Sequence, residues 1–240
     1  MSAHPDGALV VAIDGPSGSG KSSVSQEVAR RLRLAYLDTG AMYRAAAWWC
    51  LHQGLELTDW SAVAEAVRTM PLRMMLDPAA PAIEVGGHPV AEEIRSTEIS
   101  SVVSAVATNL EVRAELGRRQ RELIEAESEP GGLSGGRGIV AEGRDITTVI
   151  APDADVRILL TASEETRLAR RALDVHGSAD EASVEATRDQ VLRRDAQDST
   201  VVEFRTAADG VVTVDSSALD FEQAVLAVLR VVKTWQGRTS

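Results

Sequence analysis

The first fifth of the chain alternates short apolar runs with segments of helical periodicity. Leu9–Asp14 is an apolar run that stops at a glycine, which predicts a strand buried on both faces. Apolar residues then recur at every fourth position from Val24 to Leu32, as in a helix that packs one face on a sheet. Ala35–Leu37 predicts a second strand and residues 41–53 a second helix. This order predicts the start of an α/β fold with a parallel sheet.

The middle of the chain is less regular. Four prolines interrupt residues 55–95, where Leu72–Leu76 and Ala82–Val85 predict two short strands. Glu98 to Glu127 then predicts a long helical stretch that is broken near Asn109. We expect this region to be an insertion into the parallel-sheet core.

Strand–helix alternation resumes after the insertion. Ile139–Ala141 and Val156–Thr161 predict strands, and Ser163 to Val175 predicts an arginine-rich helix. Residues 176–208 are polar, with few large apolar side chains, and we expect a mobile cover over the core. Val211–Val214 predicts the last strand.

The pair Asp220 and Gln223 predicts a capping box at the start of the last helix. The apolar face of that helix is predicted to contain Phe221, Val225, Leu229 and Val232. Alternation at both ends of the chain, with irregular segments between, predicts one parallel-sheet core with two insertions.

Composition narrows the possible functions. The 240 residues are 44% hydrophobic and carry a net charge of −11, which argues against sequence-independent binding to nucleic acid. Cys50 is the only cysteine and the four histidines show no metal-ligand spacing, so neither a disulfide nor a zinc site is predicted. No apolar run reaches about 18 residues, and the first seven residues are polar. We therefore expect a soluble, cytoplasmic protein that does not act at a membrane.

A glycine-rich turn after the first strand matches the pattern G-x-x-x-x-G-K-[ST] without a gap. Its glycines let main-chain N–H groups turn toward phosphate oxygens, and the helix N-terminus adds positive charge there. Lys21 is expected to reach the β- and γ-phosphates and Ser22 to bind Mg²⁺. The motif consists of Gly15, Pro16, Ser17, Gly18, Ser19, Gly20, Lys21 and Ser22.

This loop does not by itself separate a kinase from other nucleotide hydrolases. A GTPase is expected to contain an Asn-Lys-x-Asp motif, and the sequence contains none. A motor ATPase usually needs a longer chain and a partner. The remaining interpretation is phosphoryl transfer from ATP to a small acceptor.

Two segments at the carboxyl ends of predicted strands suit such an acceptor. Thr39, Tyr43 and Arg44 follow the second strand, and Arg144 with Asp145 follows the third core strand. Ligands bind at this edge in open α/β sheets, where arginine pairs with phosphate. The alternatives are a helix cap with a solvated Arg44 and an ordinary surface ion pair.

Arg167, Arg170 and Arg171 fall at i, i+3 and i+4, so they share one helix face. Phosphoryl transfer needs cations around oxygens that change charge, which fits this cluster. A solvated helix face is the alternative.

Taken together, these segments resemble the bacterial cytidylate kinase family, a branch of the nucleoside monophosphate kinases. The resemblance covers nearly the whole chain, in order, and includes IDGPSGSGKSS, LDTGAMYR, EEIRSTEIS, SAVATNLEVR, VAEGRDITTVIAPDA, RRDAQDST and VVTVDSS. It implies a five-stranded parallel sheet with helices on both faces, a nucleotide-monophosphate-binding insert and a lid. On this basis the core is predicted at 1–60, 135–172 and 209–240, the insert at about 61–134 and the lid at about 173–208.

The resemblance also implies roles for individual residues. ATP is expected at the glycine-rich loop with Ser23, at Arg167 near the adenine, and at Arg170 and Arg171 near the phosphates. The residues expected to bind CMP are Thr39, Tyr43 and Arg44 on the phosphate side, Arg144 at the phosphate, Ser104, Arg113 and Asp145 at the cytosine, and Arg194 and Asp198 from the lid. The catalytic group is predicted to be Lys21, Arg170, Arg171 and Arg194.

The expected reaction is Mg²⁺-dependent transfer from ATP to CMP or dCMP by a monomeric enzyme. UMP or a non-nucleotide acceptor stays open, as does a nucleotide-binding module without turnover. The chain also differs from many relatives, whose lid reads Asp-Ser-Thr-Arg where this one has Val201. Arg205 is the candidate replacement for the missing lid arginine if the segment from Val201 to Arg205 is helical.

Overall fold

The computed structural model describes residues 7–239, so residues 1–6 and 240 of the predicted core lie outside the described residues. The strands are β1 (Leu9–Asp14), β2 (Ala35–Asp38), β3 (Leu72–Met75), β4 (Ala82–Val85), β5 (His88–Pro89), β6 (Gly138–Gly143), β7 (Val156–Thr161) and β8 (Val212–Asp215). The helices are α1 (Lys21–Leu32), α2 (Thr39–His52), α3 (Trp60–Thr69), α4 (Thr97–Ala107), α5 (Leu110–Ser128), α6 (Glu164–His176), α7 (Glu181–Asp198) and α8 (Phe221–Thr239). A 3₁₀ turn spans Glu93–Arg95 and a π-helical turn spans Ile146–Ile150.

Five of the strands form one parallel sheet in the order β2-β6-β1-β7-β8. Strand β1 shows why helices cover both faces of it. Its Val10 and Ala12 pack in a core with α2, α3, α4 and α5, whereas Val11 and Ile13 pack in a second core with α1 and α8. The predicted five-stranded α/β core with helices on both faces is confirmed. The other strands, β3, β4 and β5, form a small antiparallel sheet in the insertion.

The register of the large sheet aligns the carboxyl ends of three strands. Asp14 at the end of β1 pairs with Gly143 of β6, and Asp38 at the end of β2 pairs with Glu142. The turns that follow these strands therefore open at the same edge. The ligand site of an open α/β sheet is expected at this edge.

Two helices were not predicted. Helix α3 lies in the proline-interrupted region, where Asp59 caps it by accepting a hydrogen bond from Ala62 N at 3.0 Å. The segment predicted as a mobile cover contains the 18-residue helix α7. Its buried positions follow a helical spacing, but three of the four are polar, so the hydropathy pattern hides the helix. These positions are Thr187, Val191, Asp195 and Asp198.

The last helix keeps its predicted cap and most of its predicted face, since Val225 and Val232 are buried and Leu229 packs partly buried against the core. Asp220 and Gln223 exchange hydrogen bonds of 3.0 and 2.8 Å, as the capping box requires. Phe221, however, is 52% exposed, because it stands at the first turn before the helix reaches the sheet. The buried face consists of Ala224, Val225, Val228 and Val232.

The boundaries predicted for the insert (61–134) and the lid (173–208) stay predictions. Within residues 7–239, none of the helices combines the length and the apolar character that a bilayer span requires.

The break predicted near Asn109 is the N-terminus of α5. The Asn109 side chain is buried and accepts hydrogen bonds from Glu111 N at 3.0 Å and Val112 N at 3.4 Å. Its Nδ2 donates to the carbonyl oxygen of Trp60 at 2.9 Å. One amide therefore joins α3 to the start of α5.

We predict that Asn109→Ala lowers the free energy of unfolding by about 2–3 kcal/mol, because it removes a helix cap and leaves buried polar groups without partners. Asp59→Ala removes the exposed cap of α3 and should cost only about 1 kcal/mol. Urea denaturation of both variants measures the difference. Equal losses would show that burial of the Asn109 amide adds nothing to capping.

Candidate active site

A cavity of about 580 Å³ opens at the carboxyl edge of the large sheet. Its walls come from the glycine-rich loop, the starts of α1, α2 and α4, the turn after β6, and helices α6 and α7. The predicted residues in its lining are Ser17, Gly18, Gly20, Lys21, Ser22, Ser23, Thr39, Tyr43, Arg44, Arg113, Arg144, Asp145, Arg171, Arg194 and Asp198. The structure thus brings most of the predicted site into one space.

The glycine-rich loop has the backbone that a phosphate cradle needs. Gly18 and Gly20 have φ values of 76° and 84°, which L-residues rarely adopt. Helix α1 begins directly after Gly20 without a side-chain cap, so its first N–H groups are open to an anion. Three predicted members of the loop do not line the cavity: Gly15, Pro16 and Ser19.

Ser22 faces a carboxylate that the sequence analysis did not select. Its hydroxyl donates to Glu142 Oε1 at 2.6 Å, while Glu142 Oε2 is buried and accepts no hydrogen bond from any described residue. Burial, and then the neighbouring Asp38 carboxylate, raise the pKa of Glu142 to about 7. A hydroxyl and carboxylate oxygens are the ligands that Mg²⁺ prefers, so these residues fit that ion.

The cavity concentrates cationic side chains. Burial lowers the pKa of Lys21, and repulsion from Arg144 and Arg194 acts in the same direction. Burial, followed by Arg144 and Arg44, lowers the pKa of Arg194 to about 10. Within residues 7–239, the buried Nε atoms of Arg44 and Arg194 find no hydrogen-bond acceptor. Such a cluster favours a polyanion, which would relieve both repulsion and lost hydration.

Asp38 and Arg44 resolve the alternatives left open for the segment after β2. Asp38 does cap α2, because its Oδ1 accepts from Ala41 N at 2.8 Å. Arg44 is not solvated: its side chain is 15% exposed and its Nη2 lies 3.0 Å from Asp38 Oδ2. Thr39 donates its hydroxyl to the carbonyl oxygen of Glu142 at 2.8 Å, which joins this segment to β6.

Arg113 of the insertion reaches across to Asp145 at the sheet edge. The two side chains form a largely buried ion pair, and the Arg113 guanidinium also lies 5.9 Å from the centre of the Tyr43 ring. Burial raises the pKa of Asp145 although Arg113 opposes that shift. Ser104 lies behind the cavity wall and donates to Asp198 Oδ1 at 3.0 Å. The Asp145 carboxylate and the Arg113 guanidinium thus form one polar end of the cavity. Because Asp145 is buried, the alternative of an ordinary surface ion pair between Arg144 and Asp145 is excluded.

The arginines of α6 divide between the cavity and its support. Arg171 lines the cavity, and burial lowers its pKa. Arg167 lies outside the lining and donates to the carbonyl oxygen of Ser17 at 2.9 Å. Arg170 also lies outside the lining, because its terminal nitrogens are engaged by the oxygens of Ser19, Ser216 and Leu219. Arg170 thus supports the glycine-rich loop in this structure, and its predicted catalytic role stays a prediction.

Arg205 does not replace the lid arginine of the relatives. Helix α7 ends at Asp198, so the segment to Arg205 is not helical. The Arg205 side chain is exposed and outside the cavity lining, whereas Val202 lies within it.

Several lining residues were missed by the sequence analysis. Glu142 could have been found from its position near the carboxyl end of a buried strand, two residues before Arg144. Arg95 and Ser100 lie in a segment that was matched as a motif but given no role, and Asp174 lies beyond the arginine cluster of α6. These three residues reach the cavity only through the tertiary fold, which the sequence pattern does not show.

Comparisons with known proteins agree with this geometry. The model of the family described as cytidylate kinase matches residues 11–234. A cytidylate kinase of Streptomyces avermitilis is 45% identical over 227 residues, covering 94% of this chain and 93% of that protein. A cytidylate kinase of Nocardia farcinica is 46% identical over 231 residues, covering 95% and 94% respectively. One of Corynebacterium diphtheriae is 39% identical over 238 residues, covering 98% of this chain and 99% of that protein.

Gly18 offers a test of how tightly the loop packs on α6. A Cβ atom at Gly18 would overlap the carbonyl oxygen of Arg167, whereas one at Gly177, which also has a positive φ, would meet nothing within 4 Å. We predict that Gly18→Ala lowers the free energy of unfolding by about 2–4 kcal/mol and Gly177→Ala by about 1 kcal/mol. Chemical denaturation measures both. Similar values for the two variants would contradict close packing of the loop.

Proposed function

The chain belongs to the cytidylate kinase family, and we propose that it transfers the terminal phosphoryl group of ATP to CMP or dCMP, giving ADP and CDP or dCDP. One observation carries this proposal. A phosphate-binding loop, a cluster of desolvated cations and a buried Arg113–Asp145 pair line a single cavity. The first two suit the reacting phosphates, and the third suits a base with both donors and acceptors.

On the donor side, the loop from Gly15 to Ser23 would hold the ATP phosphates. Its main-chain N–H groups and the N-terminus of α1 favour negative charge, and Lys21 lies in the cavity wall beside them. Arg171 would approach the phosphates from α6. Arg167 holds the carbonyl of Ser17 and would lie near the adenine.

Ser22 and Glu142 would hold Mg²⁺, with the ATP phosphates and water completing its ligands. Mg²⁺ is commonly bound by one or two protein oxygens together with substrate phosphates, which fits this hydroxyl and carboxylate. When bound, the ion neutralises charge that develops on the phosphate oxygens.

On the acceptor side, Arg44, Arg144 and Arg194 would bind the CMP phosphate. Cytosine presents an amino donor at N4 and acceptors at N3 and O2. The Asp145 carboxylate suits the amino group and the Arg113 guanidinium suits the acceptors. Uracil would place a carbonyl against the carboxylate, and such a buried mismatch discriminates strongly.

The remaining acceptor-side residues would complete the pocket. Thr39 and Tyr43 stand at its floor, and Ser104 and Asp198 form a hydrogen-bonded pair near the expected ribose. Asp198 comes from α7 and Ser104 from α4, so their hydrogen bond already joins the predicted lid to the predicted insert.

The reaction would be an in-line displacement. An ionised oxygen of the acceptor phosphate forms a bond to the γ-phosphorus of ATP, and the bond from that phosphorus to the bridging oxygen of ADP breaks. The second pKa of a phosphate monoester is about 6, so no strong base is needed at neutral pH. Lys21, Arg171 and Arg194 would neutralise the oxygens that gain charge, while the enclosing elements exclude water.

We also propose that the protein acts in the cytoplasm as a monomer and has neither nucleic acid nor membrane as a partner. Both nucleotides are cytoplasmic metabolites, and the acidic net charge of −11 disfavours binding to polyanions.

The acceptor is tested with a coupled ADP-release assay on CMP, dCMP, UMP, AMP and shikimate. We expect CMP or dCMP to exceed every other acceptor by at least about 100-fold in kcat/KM, because only cytosine satisfies the Arg113–Asp145 pair. Lys21→Ala should lose about 10³-fold or more in kcat while remaining folded by circular dichroism. A better acceptor from outside the cytidine pair, or near-normal turnover of the lysine variant, would refute the proposal.

Base recognition is tested with Asp145→Asn. An amide keeps the size of the side chain but can donate to uracil O4, so the ratio of kcat/KM for CMP to that for UMP should fall by about 10²-fold or more. Loss of stability alone would lower both values and leave this ratio unchanged. Asp153→Asn, at an exposed position on the same segment, is the control and should keep the wild-type ratio. An unchanged ratio in Asp145→Asn would remove Asp145 from base recognition.

A further inference from the structure

Asp195 of α7 is a fully buried carboxylate that lies outside the cavity lining. It stands where the side of the cavity assigned to ATP meets the side assigned to CMP. Neither the sequence motifs nor the proposed mechanism gives it a role.

Both oxygens of Asp195 are engaged by elements from different parts of the chain. Its Oδ1 accepts from Arg144 Nη1 at 2.7 Å and from the main-chain N–H of Ser17 at 3.2 Å. Its Oδ2 accepts from Arg167 Nη1 at 2.6 Å. One side chain of α7 therefore connects the glycine-rich loop, the turn after β6 and helix α6.

The partners of Asp195 stabilise its negative charge. Burial favours its protonated form, but Arg144, the Ser17 amide and Arg167 outweigh burial and lower the pKa of Asp195. The group is thus anionic at neutral pH. A buried charge held by two guanidinium groups fixes the positions of both partners, because each loses its compensation if the geometry changes.

Asp198, one turn later on α7, provides an internal comparison. It accepts from Ser104 at 3.0 Å and lies 3.0 Å from Arg144 Nε. Its side-chain partners among the described residues, Ser104, Arg144 and Arg194, belong to the side assigned to CMP. Asp195 shares Arg144 with Asp198 but also holds Ser17 and Arg167 on the side assigned to ATP.

We infer that Asp195 is a positioning residue that couples the two nucleotide sites, an inference that rests on the proposed function. Arg144 would bind the acceptor phosphate and Ser17 belongs to the loop that would bind the donor phosphates. A nucleotide bound on either side would further restrain Arg144 or the loop at Ser17, and Asp195 would pass that restraint to its partners on the other side. The second nucleotide would then lose less freedom on binding, so its affinity would rise.

The experiment measures this coupling directly. Isothermal titration calorimetry gives the Kd of CMP with Mg²⁺ alone and with a saturating non-hydrolysable ATP analogue, for the full-length wild type and for Asp195→Asn. Couplings between sites are typically about 5–150-fold, so we expect the analogue to tighten CMP binding at least about fivefold in the wild type. In Asp195→Asn the ratio should fall to within about twofold of unity, because an amide cannot hold two guanidinium groups and an N–H donor.

Asp189→Asn is the matched control. Asp189 lies on the same helix and is exposed, and its side chain makes no hydrogen bond or ion pair within the described part of the chain. The same loss of charge at this position should leave the wild-type ratio intact. Asp198→Asn should weaken CMP binding yet retain part of the coupling, because the contacts of Asp195 with Ser17 and Arg167 remain.

A second variant keeps the inference testable if Asp195→Asn does not fold. Arg167→Gln removes the guanidinium of α6 and leaves the Arg144–Asp195 pair, and it should also reduce the ratio. A wild-type ratio in either folded variant, or a ratio of one in the wild type, would overturn the inference. Failure of the wild type to form CDP would instead overturn the proposed function, whatever the binding ratio.

Discussion

Repulsion among buried cations is the constraint on which the site depends. Lys21, Arg144 and Arg194 lose hydration in one cavity and repel one another, and both effects lower the pKa of Lys21 and Arg194. The chain carries a net charge of −11, so this positive charge is strictly local. Asp195 and Asp198 place two carboxylates against Arg144 and offset part of the repulsion. Asp198 also lies 3.7 Å from Arg194 Nε, which is beyond hydrogen-bond distance, so this donor remains suited to phosphate. The cluster is therefore stable enough to persist and still favours a polyanion over water.

The parallel sheet is what makes such a cluster possible. Adjacent parallel strands end at the same edge, so the turn after β1 and the turn after β6 meet although more than a hundred residues separate them. Asp14, the last residue of β1, fixes this meeting point. It accepts hydrogen bonds from Ile146 N at 2.9 Å and from the Thr147 N–H and hydroxyl at 2.8 and 2.6 Å. The Thr147 hydroxyl adds a contact that a glycine at this position would lack. In the proposed function the rigid edge would carry the phosphates and Asp145, and helices α5 and α7 would add Arg113 and Asp198 to read the nucleoside.

Sequence reasoning succeeded where the physical signal is local and failed where the signal depends on tertiary contacts. The loop at Lys21, the cap at Asn109 and the strand boundaries follow from main-chain geometry and short-range periodicity. Helix α7 was missed because it buries polar side chains against the cavity, which removes the hydrophobic pattern that marks a helix. Arg170 was placed in the cavity because its spacing matches the arginine face, yet its acceptors come from Ser216 and Leu219, which sequence spacing cannot bring near. Asp195 lies in the RRDAQDST segment that supports the resemblance but was given no role, since an aspartate on a polar helix usually faces water.

Charge balance also explains how the lid accommodates Val201. Arg194 already experiences repulsion from Arg144, Arg44 and Arg171, so a further arginine in the lid would add to that repulsion before any nucleotide binds. The chain instead stabilises its lid through Arg144, whose guanidinium stacks 4.3 Å from the buried ring of Phe204 while Asp195 and Asp198 hold its edge. Cation–π stacking and two carboxylates fix the lid without another positive charge. In this arrangement the lid is held by its acidic residues, and the proposed phosphate contacts come from cations of the core and α6 together with Arg194 of α7.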